Sequence, residues 1–318
     1  MILLTILFLI LLGCILTNSQ ISLSYAAMGL NLWFQKMIPS LLPFMILSGI
    51  MVRLKLTDRF AMVLYPIVKP VYRVSKNVCY AMLMGFLCGF PMGARVVDDL
   101  YIRQMISRRE AEYLLAFCNN IGPVYFCSFV LPLLGRQLVL PYLFGMYGIP
   151  LLYGLALRYT LYRNMYTDLL ACQANRVKAS LICCEEAPKS PSAAERLLAE
   201  TDSSIRFAMQ NMLSLGGYMV LFNLLNLLPH ILLGKPLTAL APLLEITGGL
   251  TMLGDTFPLY SLLTLSFGGL SCIAQTYSSI ADSDLSVGNY ILHKILLTML
   301  SALFYLGWFL FQPSSFLR

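Results

Sequence analysis

Arg95, Asn119, Asn120, Glu245, Gln275 and Ser278 are charged or hydrogen-bonding side chains set within, or at the edge of, stretches that are otherwise apolar. A guanidinium presents a planar fork that matches a carboxylate bidentately. Two adjacent amides, Asn119 and Asn120, offer donors and acceptors without net charge, which suits a neutral or aromatic-nitrogen group. Glu245 stands in "ALAPLLEITGGLTML" with no basic residue nearby after Lys235. A carboxylate at membrane depth is costly, which makes it a candidate for ion or proton coupling, or for pairing a cation such as Arg95. Asp255 is a similar group nearer an interface. Ser271, Gln275 and Ser278 of "FGGLSCIAQTYSSIADSD" fall near one helical face, where they would contact a ligand.

The backbone beside these groups is broken. In "GFLCGFPMGARVVDDL", Pro91 has no N–H and clashes with the preceding turn, while Gly89 and Gly93 permit angles that other residues avoid. The helix is predicted to open there. An opened backbone inside a membrane is tolerated only where it is buried in protein or lines a wet cavity. Arg95, one turn past Pro91, then adds positive charge near the start of a new half-helix, and dipole and guanidinium together favour an anion. A plainer role also fits: a kinked hairpin whose Arg95 snorkels to the interface or pairs with Asp98 or Asp99. In "ISRREAEYLLAFCNNIGPVYF", Ser107 and Glu110 have capping-box spacing, and Asn119, Asn120, Gly122 and Pro123 interrupt the helix that follows. The Asn pair would equally serve as glue between helices, and the small residues around Gly268 and Gly269 as a close-packing surface.

The elements that position these groups are membrane helices. Hydrophobic residues make up 58% of the 318-residue chain and charged residues 12%, with a mean hydropathy of +0.75. Soluble domains carry roughly a quarter charged residues. Uncharged runs at 1–35, 37–52, 77–94, 113–135, 137–157, 207–234, 256–281 and 295–317 predict roughly eight to ten membrane segments, some short or broken. Residues 1–24 are read as a first transmembrane helix rather than a cleaved signal, because Met1–Thr17 lacks a basic n-region and no clear A-x-A site follows it. Asp58 to Ser75 is too charged to span and reads as an interfacial amphipathic segment.

The polar stretch 162–206 divides two apolar halves, 25–161 and 207–318. Arg158 to Arg206 contains seven basic and six acidic residues, which places this connector in the cytoplasm. "SLLPFMIL" (Ser40 to Leu47) and "SLGGYMVL" (Ser214 to Leu221) share four of eight residues in register. Each half continues with a glycine-rich interruption and a second polar break. Paired interrupted segments in two halves point to an inverted-repeat transporter with its site at the repeat interface.

Enzyme and nucleic-acid readings find no support. No H-E-x-x-H, G-x-S-x-G or P-loop pattern occurs, and His230 and His293 have no acid or nucleophile at motif spacing. The net charge of +7 lacks a dense Lys/Arg run with interleaved aromatics, and the nine cysteines include no C-x-x-C. The expectation is a protein without cofactor, metal or nucleic-acid partner.

"GFPMGA", "CNN" before a Gly/Pro break, "LLEITGG", and "FGGLS" with a downstream Gln resemble the sporulation integral membrane proteins that carry the nucleoside-recognition, or Gate, domain. The similarity covers about 25–312. It implies an all-α polytopic membrane fold of inverted repeats with broken or re-entrant helices, similar to concentrative nucleoside transporters. It also implies movement of dipicolinic acid into the forespore, across the membrane that surrounds it, with a coupling ion as a possible partner. The candidate substrate site is then Gly89, Pro91, Gly93, Arg95, Asn119, Asn120, Glu245, Gln275 and Ser278. Half-helix N-termini and Arg95 would answer the carboxylates, and the amides the ring nitrogen. A nucleoside transporter, or a membrane scaffold in which the breaks serve only packing, remains as an alternative.

Overall fold

A computed structural model describes residues 2–54, 56–163, 165 and 193–311 of the chain. Every regular element among them is helical. Among the described residues, five helical stretches are long and apolar enough to cross a membrane: Ser19–Met51, Arg108–Leu134, Arg136–Tyr159, Leu197–Leu233 and Val287–Phe311. Two shorter apolar helices, Phe8–Thr17 and Lys76–Cys88, accompany them. Leu16, Leu23, Phe34, Leu213, Leu303 and Leu310 are exposed on their outer faces, as lipid contact requires.

The count of long helices falls short of the eight to ten segments expected because uncharged runs do not translate one for one into spans. The run 77–94 ends its helix at Cys88, the run 37–52 shares the one span Ser19–Met51 with the second half of 1–35, and 256–281 is divided into Pro258–Phe267 and Gly269–Ser279. Leu56–Tyr72 is a helix of strongly one-sided character and is not among the long apolar spans, in keeping with an interfacial role. Most of the connector 162–206 lies outside the described residues.

Two cores meet in the middle of the molecule. One is built on Val78, Ala81, Val97, Tyr113, Leu114 and Phe117, the other on Phe126, Val130, Tyr142, Leu250, Leu262 and Tyr305. Phe90, Leu41 and Leu215 pack against both. The long helix Ala193–Leu224 packs along Ser19–Leu32 and Ile38–Arg53. Small residues permit this approach: Ser204 donates to the Ile46 carbonyl at 2.8 Å beside Gly49, and the Trp33 indole donates to Met212 O at 2.8 Å beside Gly216.

Arg158 closes the end of the first half. Its buried guanidinium donates to the carbonyls of Tyr72 (2.8 Å), Arg73 (3.1 Å), Tyr162 (2.7 Å) and Arg163 (3.0 Å). These carbonyls lie at and just beyond two helix C-termini, where no intrahelical donor remains. Arg158→Met would strand them, and is expected to cost about 2 kcal/mol or more. Thermal unfolding of the detergent-solubilised protein reads this directly, and an unchanged melting temperature would remove Arg158 from the fold's supports.

Candidate functional site

Four backbone breaks converge on the centre of the fold. The first follows Cys88: Gly89 adopts φ 67° and ψ −161°, the Phe90–Pro91 peptide is cis, and a new helix runs Met92–Ile102. The second follows the helix Arg108–Cys118, whose start carries the expected Ser107/Glu110 capping box, and extends from Asn119 to Gly122 before Pro123 restarts the helix. The third is Glu245, extended at φ −139° and ψ 120° between Ala241–Leu244 and Ile246–Leu253. The fourth is Gly268 and Gly269, with φ 83° and 80°.

The breaks of each half touch each other. Phe90 N–H donates to the Asn120 carbonyl at 3.0 Å, and Gly89 is pressed against Gly122 so closely that a Cβ there would lie 2.7 Å from the Gly122 Cα. In the second half a Cβ on Gly269 would meet Pro242 O at 3.1 Å. Phe90 joins the two pairs, since its ring packs on Gly268. Opened backbone is thus satisfied within the protein.

Beside this junction lies a cleft of about 200 Å³. Pro91 and Arg95 form one wall and Gln275, Ser278 and Ser279 another. The third wall is the helix Ala193–Leu224, through Gln210, Asn211, Ser214 and Tyr218. Arg95 is the one charged side chain among the lining residues. It sits in the first turn of Met92–Ile102, where the helix dipole is positive. Its Nη1 donates to Ser279 O at 3.1 Å and faces Asp282 Oδ2 at 3.7 Å. Asp98 and Asp99 are therefore not its ion-pair partners: Asp99 bridges Arg103 at 2.9 Å, one turn on. Glu245 does not pair Arg95 either. Near the turn that follows Ser279, Tyr101 donates to Asp284 at 2.7 Å, which holds that carboxyl below its ordinary range, with Arg108 adding to the effect.

The other candidates lie deeper. Glu245 and Gln275 line a second, smaller space of about 50 Å³ with Phe90, Gly122 and Tyr125, and Gln275 borders both spaces. The buried Glu245 carboxylate accepts from Thr247 N at 3.0 Å, Gly248 N at 2.6 Å and Asn223 Nδ2 at 3.1 Å. It is the N-cap of its half-helix. Glu245→Ala would leave three buried donors unanswered and is expected to lower stability by about 1–3 kcal/mol. Glu245→Gln, which keeps one acceptor oxygen, should lose less. Equal melting temperatures for wild type and Glu245→Ala would show that the cap contributes nothing.

Asn119 and Asn120 do not line the larger cleft. Asn119 Nδ2 donates across the halves to Thr276 Oγ1 at 2.9 Å, while Asn120 Nδ2 donates locally to Phe117 O at 2.6 Å, at the end of its own helix. Gly89 and Gly93 are likewise behind the lining: Gly93 lets its helix approach Gly85 and Asn119. Ser271, expected to share a face with Gln275 and Ser278, is fully buried and lines neither space.

The sequence pattern does not point to Lys294. It lies within Val287–Phe311, is 1% exposed, and donates to Asn120 Oδ1 at 3.0 Å and Asn119 O at 3.3 Å with its ammonium 4.6 Å from the Phe90 ring centroid. Treating every charge as the edge of a membrane run places Lys294 outside the run 295–317. The apolar residues Tyr290, Ile291 and Leu292 before it carry the signal that the helix starts earlier.

Residues 34–156 match the Gate family, described as nucleoside recognition. Over 118 residues the chain is 33% identical to the sporulation integral membrane protein YlbJ of Bacillus subtilis (strain 168), a match covering 37% of this chain and 29% of that protein. No solved structure matches the chain. The Gate region contains both first-half breaks, Arg95 and the Asn pair. The chain is therefore an all-α, multi-pass membrane protein whose residues 34–156 are similar to the nucleoside-recognition Gate family.

Proposed function

We propose that this protein is a membrane transporter of a small anionic heterocycle, dipicolinic acid, acting in the membrane around the forespore. The observation that carries this reading is the cleft in which Arg95, at a half-helix N-terminus, is the one charged lining residue. Dipicolinate is a pyridine with two carboxylates. Arg95 and the dipole of Met92–Ile102 answer one carboxylate, and Asn211, Tyr218 and Gln275 supply neutral donors for the other and for the ring edge. A volume of about 200 Å³ lies below the ~300–1,000 Å³ usual for drug-sized ligands, which favours a single ring over a base with ribose. The sporulation name of the relative supports the setting. The alternation of two breaks per half supports an inverted-repeat carrier in which one half rocks against the other about Phe90.

A nucleoside is the second reading, favoured by the family description and by the neutral lining of Gln210, Asn211, Ser214 and Tyr218. A thermal shift of the purified protein with dipicolinate and with uridine separates the two, because a ligand of the native state raises the melting temperature. A shift with dipicolinate alone is the expected result. A shift with uridine alone would replace the anion reading, and none with either would leave the breaks as packing devices.

A further inference from the structure

The Lys294 amine lies buried in a spanning helix, and when protonated it is a charge with no ion-pair partner among the described residues. Such a charge is costly in a membrane protein and needs compensation. Its compensation consists of one backbone carbonyl, Asn119 O, one amide oxygen, Asn120 Oδ1, and the face of Phe90. All three belong to the two first-half breaks. Asn119 follows the last residue of the helix Arg108–Cys118, where carbonyls have lost their helical donors and the dipole is negative. Carbonyls freed at a helix break are the ligands that hold a small monovalent cation in broken-helix carriers.

We propose that Lys294 is a tethered cation. Its ammonium takes the place of a diffusible monovalent cation at this break, clamps Asn119 and Asn120 against Phe90, and makes the assembly of the first-half breaks independent of sodium. Anchoring the charge on the helix Val287–Phe311 also ties the last helix to the centre of the fold without an exchangeable ion. This role rests on the transporter reading for its purpose, yet it is tested on stability alone, without any substrate.

The experiment is thermal unfolding of the detergent-solubilised full chain in sodium, potassium, methylammonium or choline chloride at equal ionic strength. Wild type is expected to melt at the same temperature in all four. Lys294→Ala, which opens room at the oxygens, should melt lower in choline and regain most of the loss in methylammonium, sodium or potassium. Choline is too bulky to enter. Lys294→Met fills the space without charge, should also melt lower, and should regain nothing. Buried charges can often be replaced by apolar groups with a gain in stability. A Lys294→Met protein as stable as wild type would therefore overturn the role. So would a sodium-specific rise in wild type, or a Lys294→Ala protein indifferent to the cation. If Lys294→Ala does not fold, the comparison of wild type with Lys294→Met decides. If neither variant folds, recovery of folded protein with Lys294→Arg supports a required cation, and its failure counts against one. A protein that passes here and still binds no dipicolinate would sink the proposed substrate and leave the tethered cation standing.

Discussion

Arg95→Gln is expected to lower transport of dipicolinate by roughly ten- to a hundredfold, the scale of losing one hydrogen-bonded charge contact worth about 1.5–3 kcal/mol. Arg95→Lys should fall between this variant and wild type. It keeps the positive charge at the start of Met92–Ile102 and loses the planar fork that both grips Ser279 O and meets a carboxylate. The two other roles open to Arg95 give different patterns. If the guanidinium serves only its 3.7 Å pair with the largely exposed Asp282, lysine should work almost as well as arginine, since exposed pairs contribute little. If the substrate is a neutral nucleoside, flux should depend weakly on charge here. Dipicolinate content of spores that carry each variant at matched protein levels distinguishes the three patterns. Normal content in Arg95→Gln would remove Arg95 from the site.

Gly89→Ala should be strongly destabilising. The conformation at φ 67° and ψ −161° is essentially restricted to glycine and costs another residue about 1–3 kcal/mol. The added Cβ would also lie 2.7 Å from the Gly122 Cα and 2.8 Å from the Asn120 carbonyl, so the two breaks would be forced apart. Backbone atoms cannot rotate away as a side chain can. Strain and overlap together put the expected loss at about 3 kcal/mol or more. Gly217→Ala is the matched control: it lies within Ala193–Leu224, and a Cβ there meets nothing within 4 Å. Alanine should be neutral or slightly stabilising at that position. Thermal unfolding of both variants reads the contrast, and a Gly89→Ala protein as stable as Gly217→Ala would mean that the breaks are not packed against each other.

The breaks themselves were legible because their causes are local. Gly89, Pro91, Gly122, Pro123 and the Gly268–Gly269 pair change what the backbone is able to do at their own positions, and the Ser107/Glu110 box is a pattern over four residues. Glu245 was visible as an unusual carboxylate, but its chief partners, Thr247 N and Gly248 N, make it a cap, a role that its position before "ITGG" permits and does not announce. What sequence spacing cannot supply is which segments become neighbours. Gln210, Asn211, Ser214 and Tyr218 are ordinary polar interruptions of the run 207–234 until the packing of Ala193–Leu224 turns them toward Gln275. Lys294 and Arg158 were lost for a different reason. Both adjoin long uncharged runs, so they served as boundaries, whereas each is buried and bonded to carbonyls more than a hundred or several tens of residues away: Asn119 for Lys294, Tyr72 and Arg73 for Arg158. A charge that finds carbonyls need not lie at the membrane surface.

The central claim, that this cleft carries an anionic heterocycle across a membrane, is tested most directly by uptake into proteoliposomes. Purified full chain is reconstituted, and entry of radiolabelled dipicolinate and of radiolabelled uridine is compared with protein-free vesicles. Protein-dependent entry of dipicolinate, reduced by unlabelled dipicolinate and not by excess uridine, is the expected result. Entry of uridine alone, or no entry of either above the protein-free vesicles while the reconstituted chain remains folded, would contradict it.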